Sequence, residues 1–147
     1  MRFPQGEGHS RGFTLIELMV VIAIIALGTT MAALALRDSE STTLTREAER
    51  LAALLESARA QSRAAGVPVR WRPTADGFAF DGLPATVAQL PERWLDARTA
   101  AVGNTPLLLG PDPVIGAQAV LLRSAGSAHE LRVGTDGLRP FSVEQIQ

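Results

Sequence analysis

The chain begins its longest apolar run with the sequence Arg11-Gly12-Phe13-Thr14-Leu15-Ile16-Glu17-Leu18-Met19-Val20. Across residues 13–36, Glu17 is the one charged side chain. As an α-helix this stretch would rise roughly 36 Å, against about 30 Å for the apolar core of a bilayer. The pattern therefore predicts a transmembrane helix over residues 13–36, with one carboxylate near its start.

The polar leader before this helix differs from a secretory signal peptide. Such a peptide has an apolar region of about 7–15 residues, followed by a cleavage site of small residues. Here Gly12 precedes the apolar run, so cleavage after Gly12 would remove residues 1–12 and leave the helix in the mature protein. The alternative is an uncleaved signal anchor that holds a domain outside the cytoplasm.

The segment Gly12-Phe13-Thr14-Leu15-Ile16-Glu17 resembles the processing site of type IV pilins and type II secretion pseudopilins. The resemblance implies that a prepilin peptidase cuts after Gly12 and methylates the new amino terminus at Phe13. It also makes Glu17 the fifth residue of the mature chain.

Glu17 needs a partner if it lies inside a membrane. A charged side chain at the centre of a bilayer costs about 2.5–3.5 kcal/mol on insertion scales, and less near the interface. The amine that cleavage would create at Phe13 lies four residues away, within reach of Glu17 on one helix. An adjacent subunit could supply the same amine in a fibre, and the resemblance implies this intersubunit pairing. The alternative is a carboxylate that reaches the interface and has no role in assembly.

Charge and composition limit the remaining possibilities. Arg2 and Arg11 precede the helix, so the positive-inside bias predicts a cytoplasmic leader, with the rest of the chain on the other side of the membrane. The resemblance implies that this membrane is the inner membrane and that the remainder lies in the periplasm. The net charge is −1 and gives no bias toward nucleic acid. Cysteine is absent, so a periplasmic domain must be stable without disulfides.

The helix is predicted to continue beyond the membrane as an amphipathic segment over residues 37–66. Gly66 supplies the stop signal and Pro68 follows it. We interpret the apolar stripe as the surface on which a sheet docks, rather than as a free face for a partner. The stripe consists of Leu44, Ala48, Leu51, Leu54, Leu55 and Ala58, and the charged residues around it are Arg46, Glu47, Glu49, Arg50, Glu56 and Arg59.

Residues 67–147 have the pattern of a β-rich domain with short strands and turns. A hairpin is predicted from strands at 67–72 and 78–80, joined by a turn at 73–77. Residues 81–116 are rich in Pro and Gly and are expected to be irregular around one strand at 107–109. Whether Trp94 in this segment forms a contact surface or a local apolar plug stays open. The tail is predicted to be a β-meander with strands at 117–123, 129–133 and 138–143.

Together these elements predict an α+β fold, with one long N-terminal helix whose second half packs on a C-terminal antiparallel sheet. Within the pilin-like group, three pieces of the domain look like the H-type minor pseudopilin of type II secretion. They are Pro68-Val69-Arg70-Trp71, Leu109-Gly110-Pro111-Asp112-Pro113 and Gly137-Leu138-Arg139-Pro140-Phe141-Ser142-Val143. The resemblance implies a structural subunit near the tip of the secretion pseudopilus. Its partners would be other minor pseudopilins, the major pseudopilin and the inner-membrane assembly platform.

Catalytic and ligand-binding functions have little support in the sequence. The two histidines are His9 in the leader and His129, so a triad or a three-histidine metal site is not expected. We expect no enzyme activity, no cofactor and no metal. The alternative function is a minor pilin that captures DNA for uptake, as some relatives do through an arginine-rich C-terminal motif. Arg132 and Arg139 are the basic residues near the end of this chain, whereas phosphate binding needs a denser basic surface.

Overall fold

The computed structural model describes residues 14–86 and 89–146, and the side chains of these residues other than 33–40. The predicted α+β class is confirmed, because one long helix is followed by antiparallel strands. In chain order the elements are α1 (Leu15–Ala65), β1 (Arg70–Thr74), β2 (Gly77–Asp81), β3 (Thr99–Val102), β4 (Leu107–Leu108), β5 (Gln118–Ser124), β6 (Glu130–Thr135) and β7 (Ser142–Gln145).

The chain divides into two compact units between Arg37 and Asp38. In the first unit, the described helical residues Leu15–Ala32 have a mean hydropathy of 2.3, and none of them is buried. This segment is long and apolar enough to cross a membrane.

The second unit has its hydrophobic core between α1 and the strands. The predicted stripe is confirmed as core, since Leu44, Ala48, Leu51, Leu55 and Ala58 are buried and Leu54 packs at the margin. The strands and the residues next to them contribute further buried apolar side chains, among them Val69, Trp71, Phe78, Val120, Leu122, Leu131, Val133 and Phe141. Burial of these large side chains, each stabilising by about 1.5–3 kcal/mol, is the main force that holds the helix to the strands.

The strands form two sheets, where the sequence predicts one. The three-stranded sheet has the order β2-β1-β4, and the four-stranded sheet has the order β3-β5-β6-β7. All pairs are antiparallel, and the predicted hairpin and C-terminal meander are both present. The side chain of Gln118 joins the two sheets: Gln118 Nε2 donates to the carbonyl oxygen of Leu108 at 2.6 Å, and Gln118 Oε1 accepts from the N–H of Leu108 at 2.9 Å. Its amide thus occupies the place of a neighbouring peptide group.

Several predicted strand boundaries are wrong. Residues 81–116 contain two complete strands, where the sequence predicts one at 107–109. The additional strand is β3, and β4 is only two residues long. The first strand begins at Arg70 instead of residue 67, and the last begins at Ser142 instead of residue 138. The reason at the last strand is a turn held by Asp136, whose carboxylate accepts the backbone N–H groups of Leu138 and Arg139.

The helix ends where the sequence predicts. Gly66 has a φ of +67°, a conformation that glycine adopts without strain. The N–H of Val67 then donates to the carbonyl oxygen of Ser62 at 3.2 Å, which is the six-to-one bond of a Schellman motif. Gly66 therefore fixes the direction in which the chain leaves α1 toward β1.

Candidate processing and assembly segment

The first turn of α1 is organised by Thr14. Its Oγ1 accepts the backbone N–H of Glu17 at 3.3 Å, and its carbonyl oxygen accepts the N–H of Leu18 at 3.2 Å. Thr14 is thus the N-cap of the helix, which satisfies one of the N–H groups that a helix start leaves without a partner. Gly12 and Phe13, the predicted cleavage and methylation residues, lie outside the described residues.

Glu17 lies in this first turn with its side chain exposed. A carboxylate at a helix N-terminus is favoured by the helix dipole. No cation among the described side chains, those of residues 14–32, 41–86 and 89–146, forms an ion pair with Glu17. The structure therefore leaves this carboxylate accessible to a group outside the described part of the chain.

Within the first unit, no described residue covers the apolar helix surface around Glu17. The large exposed side chains are Leu15, Ile16, Leu18, Met19, Val20, Val21, Ile22, Ile24, Ile25, Leu27 and Met31. Two polar residues in the same stretch are satisfied within the helix, because the hydroxyl groups of Thr29 and Thr30 both donate to the carbonyl oxygen of Ala26. This arrangement suits a membrane or a layer of other helices, where backbone and hydroxyl groups must be satisfied internally.

Glu47, in the second half of α1, is a buried anchor that the sequence pattern shows only as one of the charged residues around the apolar stripe. Its side chain is 1% exposed, and its Oε1 accepts the backbone N–H groups of Leu95 and Asp96. Arg50 lies 3.6 Å away and donates to the carbonyl oxygen of Arg93. The pair holds the segment between β2 and β3 against the helix. A single sequence shows no difference between such a residue and an exposed glutamate such as Glu49.

Arg59 is a second buried anchor, with 3% of the side chain exposed. Its guanidinium donates to the carbonyl oxygens of Gly137 at 2.9 Å, Pro113 at 3.2 Å and Arg139 at 3.4 Å. Glu56 pairs with Arg59 at 3.4 Å and accepts the N–H of Phe141 at 3.0 Å. Two loops that are distant in sequence are thus held at one helical turn, which the periodicity of α1 does not reveal.

Trp94 is partly buried and belongs to an aromatic cluster. Its ring centroid lies 4.7 Å from that of Phe78 in an edge-on arrangement, and Phe78 also contacts Phe80 and Trp71. The structure therefore agrees with the local apolar plug among the two interpretations of this segment. The exposed apolar neighbour is Leu95.

The arginines near the C-terminus are engaged with acids. Arg132 lies 2.7 Å from Glu144, and Arg139 lies 3.1 Å from Asp136. Hydrogen bonds from the N–H groups of Arg139 and Leu138 hold the pKa of Asp136 below its ordinary value. Asp136 therefore stays ionised beside Arg139, and the surface at the end of the chain is close to neutral. Among the described residues, no group of three His, Asp or Glu side chains is arranged to hold a metal ion.

Comparison with known families finds a match at the start of the chain. Residues 8–33 match the family model of the prokaryotic N-terminal methylation motif. No curated protein and no solved structure matches the chain. The matched residues include Gly12, Phe13, Thr14 and Glu17 together with most of the apolar helix. The chain thus carries a methylation motif of the prepilin type at the start of a pilin-like α+β fold.

Proposed function

We propose that the protein is a minor pseudopilin of a type II secretion system, a structural subunit near the tip of the pseudopilus. The observation that carries the proposal is the methylation motif at residues 8–33, continuous with an apolar helix that bears one accessible carboxylate. The three pieces of the β-rich domain that look like the H-type subunit support the finer assignment. The pseudopilus would serve the export of folded proteins across the outer membrane.

The proposed precursor has four parts. Residues 1–12 are the leader, 13–36 the transmembrane half of the helix, 37–66 its amphipathic half, and 67–147 the periplasmic domain. A prepilin peptidase would cut between Gly12 and Phe13 and methylate the amine of Phe13. The mature protein would be a single-pass inner-membrane protein until the assembly platform extracts it into the fibre.

The proposed mechanism uses the same helix twice. Before assembly the exposed apolar side chains face lipid, and in the fibre they face the helices of other minor pseudopilins and of the major pseudopilin. Both surroundings are dry, so the net driving force must come from packing and from polar pairing. Glu17 would supply this pairing by accepting the amine of Phe13 from a neighbouring subunit.

Mass spectrometry of the protein isolated from its native membrane tests the processing step. We expect an amino terminus at Phe13 that carries one methyl group. An intact start, or a terminus at any other residue, would contradict the proposal. Substitution of Gly12 by a bulky residue such as leucine should leave an unshifted precursor on a gel, whereas Gly12→Ala keeps a small side chain at the cleavage site and should be cut at least in part.

Substitution at Glu17 tests the assembly step. Glu17→Ala should leave membrane insertion unchanged, because removal of a charge favours the membrane. Incorporation into fibres should fall, as measured by cross-linking of assembled subunits. Glu17→Asp keeps the charge and serves as the control, with partial assembly expected. Normal incorporation of Glu17→Ala would remove the proposed role of this carboxylate.

DNA uptake by a type IV pilus is the alternative function, and a titration with duplex DNA distinguishes it from the secretion role. The full chain in detergent should bind duplex DNA weakly even at low salt, since Arg132 and Arg139 already pair with Glu144 and Asp136. Tight binding that weakens steeply with salt would favour the alternative. Neighbouring genes for a secretin and a secretion ATPase would support the secretion assignment, and competence genes would oppose it.

A further inference from the structure

A groove runs between α1 and the outer edge of β7, wholly within the second unit. The sheet order puts β7 at the end of its sheet, so no strand of the described residues covers its outer edge. One cavity of about 430 Å³ lies between the helix and the start of the strand, lined by Glu49, Ala52, Ala53, Glu56, Phe141, Ser142 and Val143. A second of about 260 Å³ follows along the same two elements, lined by Ser41, Leu44, Thr45, His129, Glu130, Leu131, Gln145 and Ile146.

The backbone of β7 presents free hydrogen-bonding groups to this groove. The N–H of Phe141 points toward α1, because it donates to Glu56 Oε1 at 3.0 Å. The backbone N–H and C=O groups of successive residues point to opposite edges of a strand. Those of Val143 and Gln145 therefore point to the same outer edge as Phe141, whereas those of Ser142 and Glu144 point toward Gly134 and Arg132, their register partners in β6. Glu56 therefore occupies the first hydrogen-bonding position on this edge, at Phe141. The next two positions along the edge, at Val143 and Gln145, are the ones that an added strand would use.

The dimensions of the groove suit an extended segment. The helical wall from Ser41 to Glu56 is about 22 Å long. The strand wall from Ser142 to Ile146 is about 13 Å long. Ala52 and Ala53 have small side chains, which leaves room beside the edge for a chain of five or six residues.

The lining also indicates the chemistry of the occupant. Apolar atoms of Ala52, Ala53 and Val143 form the floor, which favours small apolar side chains on one face of the added strand. Three glutamates line the two cavities, and Glu56 is already paired with Arg59. Glu49 and Glu130 remain as an acidic rim, so a lysine or arginine beside the strand would complement the charge.

We propose that the α1–β7 groove binds an extended segment of another protein by strand addition, with alternating small apolar residues and at least one basic residue. Main-chain hydrogen bonds to Val143 and Gln145 supply affinity, and the floor and the acidic rim supply specificity. The inference goes beyond the proposed function and needs neither processing nor fibre assembly. Its failure would therefore leave the role of the N-terminal segment untouched.

Fluorescence anisotropy on the full chain in detergent micelles tests the proposal. The probe is a labelled eight-residue peptide of alternating valine and threonine with a lysine at each end, compared with the same peptide ended by glutamates. We expect the lysine peptide to bind more tightly, with the difference reduced at high salt. Hydrogen exchange should slow at residues 142–146 when this peptide is bound. Failure of both peptides to bind, or equal binding of the two, would overturn the proposal.

Two matched pairs of variants locate the bound peptide. In the first pair, Gln145→Pro removes a backbone N–H on the outer edge of β7, whereas Gln145→Ala keeps it. In the second pair, Ala53→Lys fills the groove, whereas Ala60→Lys adds the same side chain at an exposed position of α1 outside the groove. Affinity should fall by about tenfold or more in the first member of each pair and stay within about twofold in the second. Binding that Gln145→Pro and Ala53→Lys leave unchanged would contradict the proposal. Sedimentation that shows a dimer broken by Gln145→Pro would assign the groove to a second copy and overturn the proposed occupant.

Discussion

At the scale of single residues, polar side chains of α1 hold distant loops to the helix in a domain that has no cysteines to form disulfides. Glu47 and Arg59 are both buried, and their hydrogen bonds go to backbone atoms of loops. A buried charge is tolerated when hydrogen bonds satisfy it, and its removal leaves those backbone groups without partners. The two residues are therefore expected to be sensitive to substitution.

Replacement of Arg59 by methionine should lower the free energy of unfolding by about 3 kcal/mol, because three carbonyl oxygens and Glu56 lose their partner. The measurement is urea unfolding of the full chain in detergent, followed by tryptophan fluorescence. Arg63→Met is the control one turn further along α1, where the side chain is exposed and the change should stay within about 0.5 kcal/mol. Equal effects of the two substitutions would show that Arg59 is not an anchor.

Replacement of Glu47 by glutamine should cost about 1–3 kcal/mol, since a charged acceptor of two N–H groups is lost. Hydrogen exchange of residues 93–96 should speed up in the variant more than exchange elsewhere. Glu49→Gln changes an exposed neighbour on the same helix and should alter neither quantity. Unchanged exchange at residues 93–96 in Glu47→Gln would contradict the assignment.

At the scale of elements, glycines set the directions of the chain at two turns for different reasons. Gly66 has a φ of +67° and open space where a Cβ would lie, so Gly66→Ala should cost only conformational strain of about 1 kcal/mol. Gly137 has a φ of +95°, and a Cβ there would overlap the backbone carbonyl oxygen of Ile115. Gly137→Ala should therefore cost more than about 2 kcal/mol. The melting temperature should therefore fall further in Gly137→Ala than in Gly66→Ala. A larger decrease in Gly66→Ala would contradict this prediction.

Some elements of this fold are specified by local sequence more directly than others. The apolar helix, the stripe from Leu44 to Ala58 and the stop at Gly66 follow from periodicity and local backbone preference, which a sequence displays directly. The strand β3 was missed because Thr-Ala-Ala-Val has weak strand preference, and the structure holds it by pairing with β5. The anchors Glu47, Glu56 and Arg59 have no such signal, because their contacts depend on loops that fold back from distant positions.

At the scale of the whole molecule, acid should weaken the second unit through its turn carboxylates. Hydrogen bonds from Arg98 lower the pKa of Asp96, and those from Arg139 and Leu138 lower the pKa of Asp136. A carboxyl whose pKa is lower in the folded state stabilises the fold above the pKa of the unfolded chain, about 3.9, and this contribution is lost as the pH falls through the lower folded value.

The double variant Asp96→Asn and Asp136→Asn tests this dependence. Its stability should fall less steeply between about pH 5 and pH 2 than that of the parent protein. Urea unfolding across this pH range provides the measurement, and Asp76→Asn, in the turn between β1 and β2, is the control. Parallel pH profiles of the parent and the double variant would exclude a contribution from these turns.

The dependence of distant loops on the polar side chains of α1 has a consequence for kinetics. Glu47 bonds to a residue 48 positions away, Arg59 to one 78 away and Glu56 to one 85 away. Because closure of such long loops is entropically costly, these bonds should form after the barrier to folding has been crossed. Substitutions at the anchors should accordingly hasten unfolding and leave refolding rates almost unchanged. The lifetime of the native state, more than the rate of folding, would then be set by polar side chains on the two flanks of the apolar stripe of one helix.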